Sequence, residues 1–106
     1  MKALIIDDER LARKELIKLL EEHPTIEVAG EAQNADEAEQ MINELNPDVL
    51  FLDIQMPGRT GFQLLESLDT VPLVVFTTAY DEFALKAFEI NALDYLLKPI
   101  TAERLA

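Results

Sequence analysis

Polar residues that can do chemistry follow the apolar runs of this chain, at the points where buried strands would end. They are Asp7, Asp8, Asp53, Thr78 and Lys98. In an open parallel α/β sheet, the ligand crevice lies outside the carboxyl ends of the strands, where the strand order reverses. Three carboxylates that meet there repel one another by on the order of 3 kcal/mol per pair. A bound cation would offset that repulsion.

Oxygen ligands would have to hold this cation, because the chain contains no cysteine. Mg²⁺, or Mn²⁺ in its place, suits carboxylates together with waters and phosphate oxygens. The acidic cluster therefore predicts phosphate chemistry as well as a metal. If Asp53 is a nucleophile, it would become an aspartyl phosphate, with Lys98 supplying positive charge to the phosphoryl oxygens. Thr78 can then donate its hydroxyl to a phosphoryl oxygen, and that hydrogen bond forms only after transfer.

Strand and helix signals alternate along the chain. The strand signals fall over residues 2–7, 25–30, 48–53, 72–77 and 93–97. Parallel strands need crossover connections, which are almost always right-handed, so this rhythm indicates an α/β fold with a doubly wound (βα)5 parallel sheet. We predict the flavodoxin-like order 2-1-3-4-5, which places the first strand beside the third and brings their carboxylates together. The fifth helix has barely begun at the last residue and is expected to be truncated.

Three helices are expected to lay apolar faces on this sheet. Their inner residues are Leu16, Leu19 and Leu20 in the first helix, Ala38, Met41, Ile42 and Leu45 in the second, and Phe62, Leu65 and Leu68 in the third. Asn34 is the predicted N-cap of the second helix. Before the third helix, Gly58 and Gly61 belong to a turn-rich loop that can bring backbone carbonyls toward a cation at Asp53.

The charge balance limits the partners of this chain. Nine lysines and arginines against 21 acidic residues give a formal net charge of −12. Such a chain repels nucleic-acid backbones and anionic lipid surfaces, so it is not expected to bind DNA by itself. The first apolar run is stopped by Asp7, and no run approaches the ~20 residues of a membrane span. We expect a cytoplasmic protein without membrane contact.

The polar positions also form a known pattern. The pattern consists of Asp7-Asp8, Asp53 followed by Met56-Pro57-Gly58, Thr78-Ala79, and Lys98-Pro99, all in one order and spacing. From near its first residue to its last, the chain resembles the receiver domain of two-component response regulators. The resemblance predicts one receiver domain over residues 1–106. It also predicts a signalling switch that phosphorylates and dephosphorylates itself, rather than a turnover enzyme.

The resemblance implies a role for each residue of the acidic cluster. Asp53 would accept a phosphoryl group from a sensor histidine kinase in a Mg²⁺-dependent reaction, and Lys98 would contact that group. Asp7, Asp8 and the backbone carbonyl of Gln55 would hold the metal together with Asp53.

Two further residues are implied as a conformational switch. Thr78 would be the switch hydroxyl and Tyr95 the switch aromatic. A half-buried strand aromatic is the alternative interpretation of Tyr95. The Lys98-Pro99 peptide bond is expected to be cis by the same resemblance.

A finer similarity covers residues 76–89 and 91–100, which resemble receivers attached to a LytTR-type DNA-binding domain. Such regulators act as transcription factors, but the output domain would lie beyond residue 106, and DNA would be contacted only there. The fourth helix is broadly apolar, with Phe83, Ala84, Ala87, Phe88 and Ile90. These residues either pack in the core or, with the fifth strand, form a homodimer surface.

Two other functions are compatible with parts of this pattern. A haloacid-dehalogenase-like phosphatase also uses an aspartyl nucleophile, but it needs a second carboxylate two residues later, where this chain has Gln55. A phosphorylation-independent interaction module with a receiver fold is the other alternative. It would be favoured if an acceptor or metal residue were missing, and none is missing.

Overall fold

One parallel sheet organises the residues that the computed structural model describes, which are 1–79, 89, 92–98 and 100. Its strands are β1 (Lys2–Ile6), β2 (Glu27–Ala32), β3 (Val49–Asp53), β4 (Leu73–Thr78) and β5 (Asp94–Leu97). The helices within these ranges are α1 (Arg10–Leu20), α2 (Ala35–Leu45) and α3 (Gly61–Glu66). The strand order is β2-β1-β3-β4-β5, and every neighbouring pair is parallel. The predicted flavodoxin-like α/β fold and strand order are confirmed.

Burial on both faces explains the apolar composition of the central strands. All of β3 is buried, and so is β1 after its first residue. Because side chains alternate along a strand, each strand contributes to two cores. Leu4 and Leu50 belong to the core under α2 and α3, whereas Ile5 and Phe51 belong to the core under α1. In β1 and β3, polar side chains come at the end of the apolar run: Asp7 and Asp8 follow Ile6, and Asp53 ends β3.

Helix α2 begins as the sequence predicted. The Asn34 side chain accepts a hydrogen bond from the backbone N–H of Glu37 at 2.8 Å. The helix ends at Asn46, which adopts a left-handed conformation with φ of 49°. Helix α1 differs, because its N-cap residue Glu9 makes no side-chain cap hydrogen bond.

The predicted inner faces of the helices are largely confirmed. Leu16, Leu20, Ala38, Ile42, Phe62 and Leu65 are buried. Leu19, Met41, Leu45 and Leu68 are half-buried. Leu64, which the prediction omitted, is completely buried. Helix α3 therefore buries a wider face than the predicted residues alone would form.

The second strand lies two residues later than predicted. A turn in which Ile26 N–H donates to the His23 carbonyl at 2.9 Å takes up the residues after Pro24 and delays the strand. The predicted fourth and fifth helices, the apolar surface of the fourth helix and the Lys98-Pro99 peptide bond lie outside the described residues. No helix within the described ranges has the length and apolar character needed to cross a membrane.

Candidate functional site

Three carboxylates meet at the carboxyl edge of the sheet. Asp7 and Asp8 follow β1, and Asp53 ends β3; the parallel register pairs Ile6 with Leu52, so the two strands end at the same level. Each aspartate offers one carboxylate oxygen, and these oxygens all lie within 4.8 Å of one another. Asp7 and Asp53 are buried, whereas Asp8 is exposed. The structure therefore brings together the three aspartates that the sequence singled out.

Lys98 places a positive charge inside this cluster. It follows β5, and its backbone N–H donates to the Thr78 carbonyl at 2.7 Å. Its Nζ lies 2.7 Å from Asp7 Oδ2 and 3.5 Å from Asp53 Oδ2. A weaker contact joins Nζ to Glu9 Oε1 at 3.9 Å. Glu9 was not identified from the sequence, because an exposed acidic residue at a helix start gives no separate signal.

The cluster perturbs the protonation of its own members. Burial raises the pKa of Asp53 to about 6; Lys98 opposes this rise, and the charges of Asp7 and Asp8 add to it. Burial lowers the pKa of Lys98, but the hydrogen bond to Asp7 and the neighbouring carboxylate charges outweigh it, so the pKa is raised overall. At neutral pH Lys98 is therefore cationic, and Asp53 is mostly ionised at a cost in free energy.

This donor set suits a hard divalent cation. The three oxygens are close enough to share one ion, and the raised pKa of Asp53 shows that burial makes its ionised form unfavourable despite the nearby Lys98. Carboxylate oxygens beside an exposed edge, where waters can complete the coordination, are what Mg²⁺ prefers. The residues present therefore fit the metal that the sequence pattern implies.

A tight loop after β3 holds the nucleophile candidate in place. The Gly61 N–H donates to the Ile54 carbonyl at 2.9 Å, and Thr60 forms a capping box with Gln63 at the start of α3. A Cβ at position 61 would lie 2.6 Å from the Asp53 carbonyl oxygen, so only glycine allows this approach. Gln55 is exposed at the start of the loop. Metal binding by its carbonyl stays a prediction.

The two candidate switch residues lie on one side of the sheet. Thr78 is completely buried at the end of β4, two residues after Phe76. Tyr95 pairs with Phe76 in the register of β4 and β5, with their ring centroids 6.3 Å apart. Phe62 continues this aromatic row, at 5.1 Å from Phe76. Half-burial against the core fits both a strand aromatic and a switch, so the role of Tyr95 stays a prediction.

Thr77 lies on the side of β4 opposite to Thr78 and Phe76. It pairs with Asp53 across the strands and lines a cavity of about 300 Å³ together with Asp7 and Lys98. The sequence indicated no functional role for Thr77, the neighbour of Thr78. The alternation of side chains from Val75 onward is the signal that would have placed it on this side.

The family of the chain follows from comparison with known proteins. The family model described as "Response regulator receiver domain" matches residues 3–106. The chain belongs to this family. It is therefore a signalling domain rather than an enzyme of the usual kind. Its acidic cluster lies at the carboxyl ends of the strands of this receiver domain.

Relatives of this receiver are named as regulatory proteins. An uncharacterized response regulatory protein of Vibrio cholerae is 61% identical over 108 residues, covering 100% of this chain and 46% of that protein. The transcriptional regulatory protein BtsR of Escherichia coli is 52% identical over 107 residues, covering 99% of this chain and 45% of BtsR. The chain thus spans less than half the length of these relatives.

Solved receiver structures share the fold. The response regulatory domain of protein mrkE from Klebsiella pneumoniae has a TM-score of 0.89 at 35% identity, covering 99% of this chain and 88% of that one. The response regulator domain of Thermotoga maritima CheB has a TM-score of 0.85 at 26% identity, covering 96% of this chain and 81% of that one. The five-stranded parallel sheet is the receiver fold.

Proposed function

We propose that this receiver is a phosphorylatable switch of a two-component system, in which Asp53 accepts a phosphoryl group from the phosphohistidine of a sensor histidine kinase. One observation carries the proposal: the buried Asp53 carboxylate lies beside the carboxylates of Asp7 and Asp8 and within 3.5 Å of the half-buried Lys98 Nζ. A carboxylate that is strained by burial and by like charges, yet held beside a fixed cation, is suited to react with an incoming phosphoryl group.

Asp7, Asp8, Asp53 and the Gln55 carbonyl would hold Mg²⁺, or Mn²⁺ in its place. When bound, the ion neutralises the carboxylates and the phosphoryl oxygens that would otherwise repel them. Residues of the chain supply the other contributions to the reaction. Asp7 is buried and fixed, whereas Asp8 is exposed and can exchange its solvent contacts for an ion.

Asp53 reacts as the nucleophile. One of its carboxylate oxygens forms a bond to phosphorus while the P–N bond of the phosphohistidine breaks, and the bonding electron pair leaves with the imidazole nitrogen. Lys98 stays protonated and faces the reacting carboxylate with its Nζ 3.5 Å away, so it can compensate charge on the phosphoryl oxygens. Hydrolysis by water later releases phosphate and restores the Asp53 carboxylate.

Thr78 and Tyr95 would convert this chemistry into a conformational change. A hydrogen bond from the Thr78 hydroxyl to a phosphoryl oxygen contributes roughly 1.5–3 kcal/mol. Moving a population from 1:99 to 99:1 needs about 5.5 kcal/mol. Thr78 therefore acts together with Lys98 and with repacking of Tyr95 against Phe76. If Thr78→Ala leaves the phosphorylation-induced conformational change intact, Thr78 is not the switch hydroxyl.

The output of the whole protein would be transcriptional control in the cytoplasm. BtsR, a relative more than twice as long as the matched region, is named a transcriptional regulatory protein. We place DNA binding in a LytTR-type domain beyond residue 106, because the net charge of −12 makes the receiver repel DNA. The fourth helix and β5 would form a homodimer surface.

Intact-mass spectrometry after incubation with acetyl phosphate tests the proposal. We expect one added phosphoryl group in Mg²⁺, none in chelator and none in Asp53→Asn. Asp69→Asn, which removes an exposed carboxylate elsewhere, should be phosphorylated like the parent chain. Absence of transfer in a folded sample would contradict the proposal and favour the phosphorylation-independent interaction module.

A further inference from the structure

Arg13 reaches from the second turn of α1 back to the acidic pair. Its Nη1 donates to the backbone carbonyl of Asp7 at 2.6 Å, and its Nε donates to Glu31 Oε1 at 3.0 Å. Only 12% of the Arg13 side chain is exposed. The guanidinium thus joins α1, the end of β1 and strand β2 through two directed contacts.

The turn from Asp7 to Glu9 depends on such contacts because α1 lacks a side-chain cap. Instead of a cap from Glu9, the Asp7 carboxylate accepts the Glu9 N–H at 2.9 Å. The Asp7 N–H donates to the Ala32 carbonyl at 3.0 Å, and Lys98 takes the second carboxylate oxygen. With Arg13 on the carbonyl, every polar group of Asp7 has a partner.

We propose that Arg13 is a positioning residue for the metal site. It fixes the main chain at Asp7, so the carboxylates of Asp7 and Asp8 are presented toward Asp53 before any ion arrives. Arg13 itself would touch neither metal nor phosphoryl group. The proposal rests on the proposed function, since it concerns the same cation site.

Arg13 positions the main chain at Asp7 through the directions of its hydrogen bonds more than through its charge. Glu31 balances the charge of the guanidinium at 3.0 Å, so Arg13 adds little net positive charge to the acidic cluster. The planar guanidinium can donate in two fixed directions, whereas a lysine ammonium is a compact point charge on a flexible stem. Arg13→Lys therefore keeps the charge and loses the double contact.

Four variants separate the possible causes. Arg13→Met removes charge and contacts, and Arg13→Lys removes only the fork geometry. Glu31→Gln keeps the hydrogen bond from Arg13 to the Asp7 carbonyl but weakens the contact between Arg13 and residue 31. The Glu31 side chain is 43% exposed. Arg10→Ala removes an exposed charge from the same helix and serves as the matched control.

Amide hydrogen exchange in chelator provides a readout that needs no metal. The Glu9 N–H donates to the Asp7 carboxylate, so its exchange reports how firmly the turn is held. We expect about tenfold faster exchange at Glu9 in Arg13→Met, with the body of α1 unchanged. Arg10→Ala should exchange like the parent chain.

Calorimetric titration with Mg²⁺ alone provides the second readout. Loss of a residue that orients a metal ligand typically weakens metal binding about 10–100-fold. We expect a loss in that range for Arg13→Met, a smaller but clear loss for Arg13→Lys, and about a twofold change or less for Arg10→Ala. Glu31→Gln should fall between Arg13→Lys and the control.

The outcomes distinguish the two proposals. If the parent chain binds Mg²⁺ but folded Arg13→Met binds it equally well, the positioning role is wrong and the proposed function stands. Full recovery of binding by Arg13→Lys would also overturn the role, because charge alone would then suffice. If the parent chain binds no Mg²⁺, both proposals fail together.

Discussion

At the scale of single residues, burial of Asp53 makes its ionised carboxylate unfavourable. Its neighbours Asp7 and Asp8 repel its charge and Lys98 attracts it, yet desolvation by burial is the largest effect on its pKa. The ionised carboxylate is therefore held at a free-energy cost that a bound cation or a phosphoryl group relieves. In the proposed function, the reactivity of Asp53 and its destabilising effect on the fold have the same cause.

The pH dependence of stability should reveal this cost in the metal-free chain. The pKa of Asp53 is raised from 3.8 to about 6, so the folded state binds its proton more tightly than the unfolded state. Protonated Asp53 therefore stabilises the folded state relative to its ionised form. This contribution is complete below pH 3.8 and is lost as the pH rises through about 6, and its loss lowers the free energy of unfolding by up to about 3 kcal/mol. Chemical denaturation in chelator should show Asp53→Asn gaining stability at pH 7 but not at pH 4.

Asp69→Asn, which removes an exposed carboxylate elsewhere in the chain, is the control for this measurement. Equal unfolding free energies of Asp53→Asn and the parent chain at pH 7 would contradict the interpretation.

Lys98 can be tested by replacement with glutamine. Because Lys98 lowers the pKa of Asp53, Lys98→Gln should raise that pKa further, as measured by carboxyl-carbon NMR titration in chelator. Phosphorylation by acetyl phosphate should slow by roughly 100-fold or more, since a charged donor facing the phosphoryl oxygens is lost. The stabilisation from Lys98 itself is present at neutral pH and is lost as the pH rises through its raised pKa.

Lys18→Gln, at an exposed position in α1, removes the same charge far from the strand ends and should behave like the parent chain. An unchanged titration of Asp53 in Lys98→Gln would show that the 3.5 Å contact has no electrostatic effect.

At the scale of elements, the junction of β3 and α3 leaves no space for a side chain at Gly61. A Cβ on Gly61 would approach the Asp53 carbonyl oxygen to 2.6 Å, with Leu52 and Ile54 also in close contact. The backbone of β3 cannot move aside without moving Asp53. This close approach requires glycine even though the backbone there is not left-handed.

Gly61→Ala should therefore destabilise the fold by about 1–3 kcal/mol and slow phosphorylation as well. Gly30→Ala is the matched control, because its Cβ would also meet a neighbour at 2.6 Å, but that neighbour is the terminal methyl of Met41, which can rotate away. Urea denaturation and acetyl phosphate kinetics measure both effects. A larger loss in Gly30→Ala than in Gly61→Ala would contradict the assignment.

At the scale of the whole molecule, metal binding should stabilise the fold by mass action. An ion that binds only the folded state at 100 times its dissociation constant adds about 2.7 kcal/mol. Asp8 offers the best test, because it is exposed and its loss relieves repulsion without opening the core. Thermal unfolding of Asp8→Asn should match or exceed the parent chain in chelator and gain much less from Mg²⁺.

Asp69→Asn is a suitable comparison, since it removes an exposed carboxylate that does not line the cavity beside Asp8. It should retain the full Mg²⁺ response. A full Mg²⁺ response in Asp8→Asn would remove Asp8 from the ligand set.

Local signals in the sequence were sufficient for the architecture. Apolar runs that stop at a carboxylate predicted where β1 and β3 end, and Asn34 predicted the start of α2. These features depend on residues close in the chain, whose backbone preferences and burial pattern survive in the fold. The position of β2 was less accurate, because the turn from His23 to Ile26 decides where that strand begins.

The partners within the site were decided by tertiary structure. Lys98 meets Asp7 across 91 positions of the chain, and Arg13 meets the Asp7 carbonyl only because α1 packs back beside the end of β1. Side-chain alternation in the aligned sheet, not the motif, turns Thr77 toward the cavity beside Asp7. The sequence by itself predicted which residues form the acidic cluster and which elements present them. Strand register and helix packing determined which atoms meet, because both depend on contacts between residues far apart in the chain.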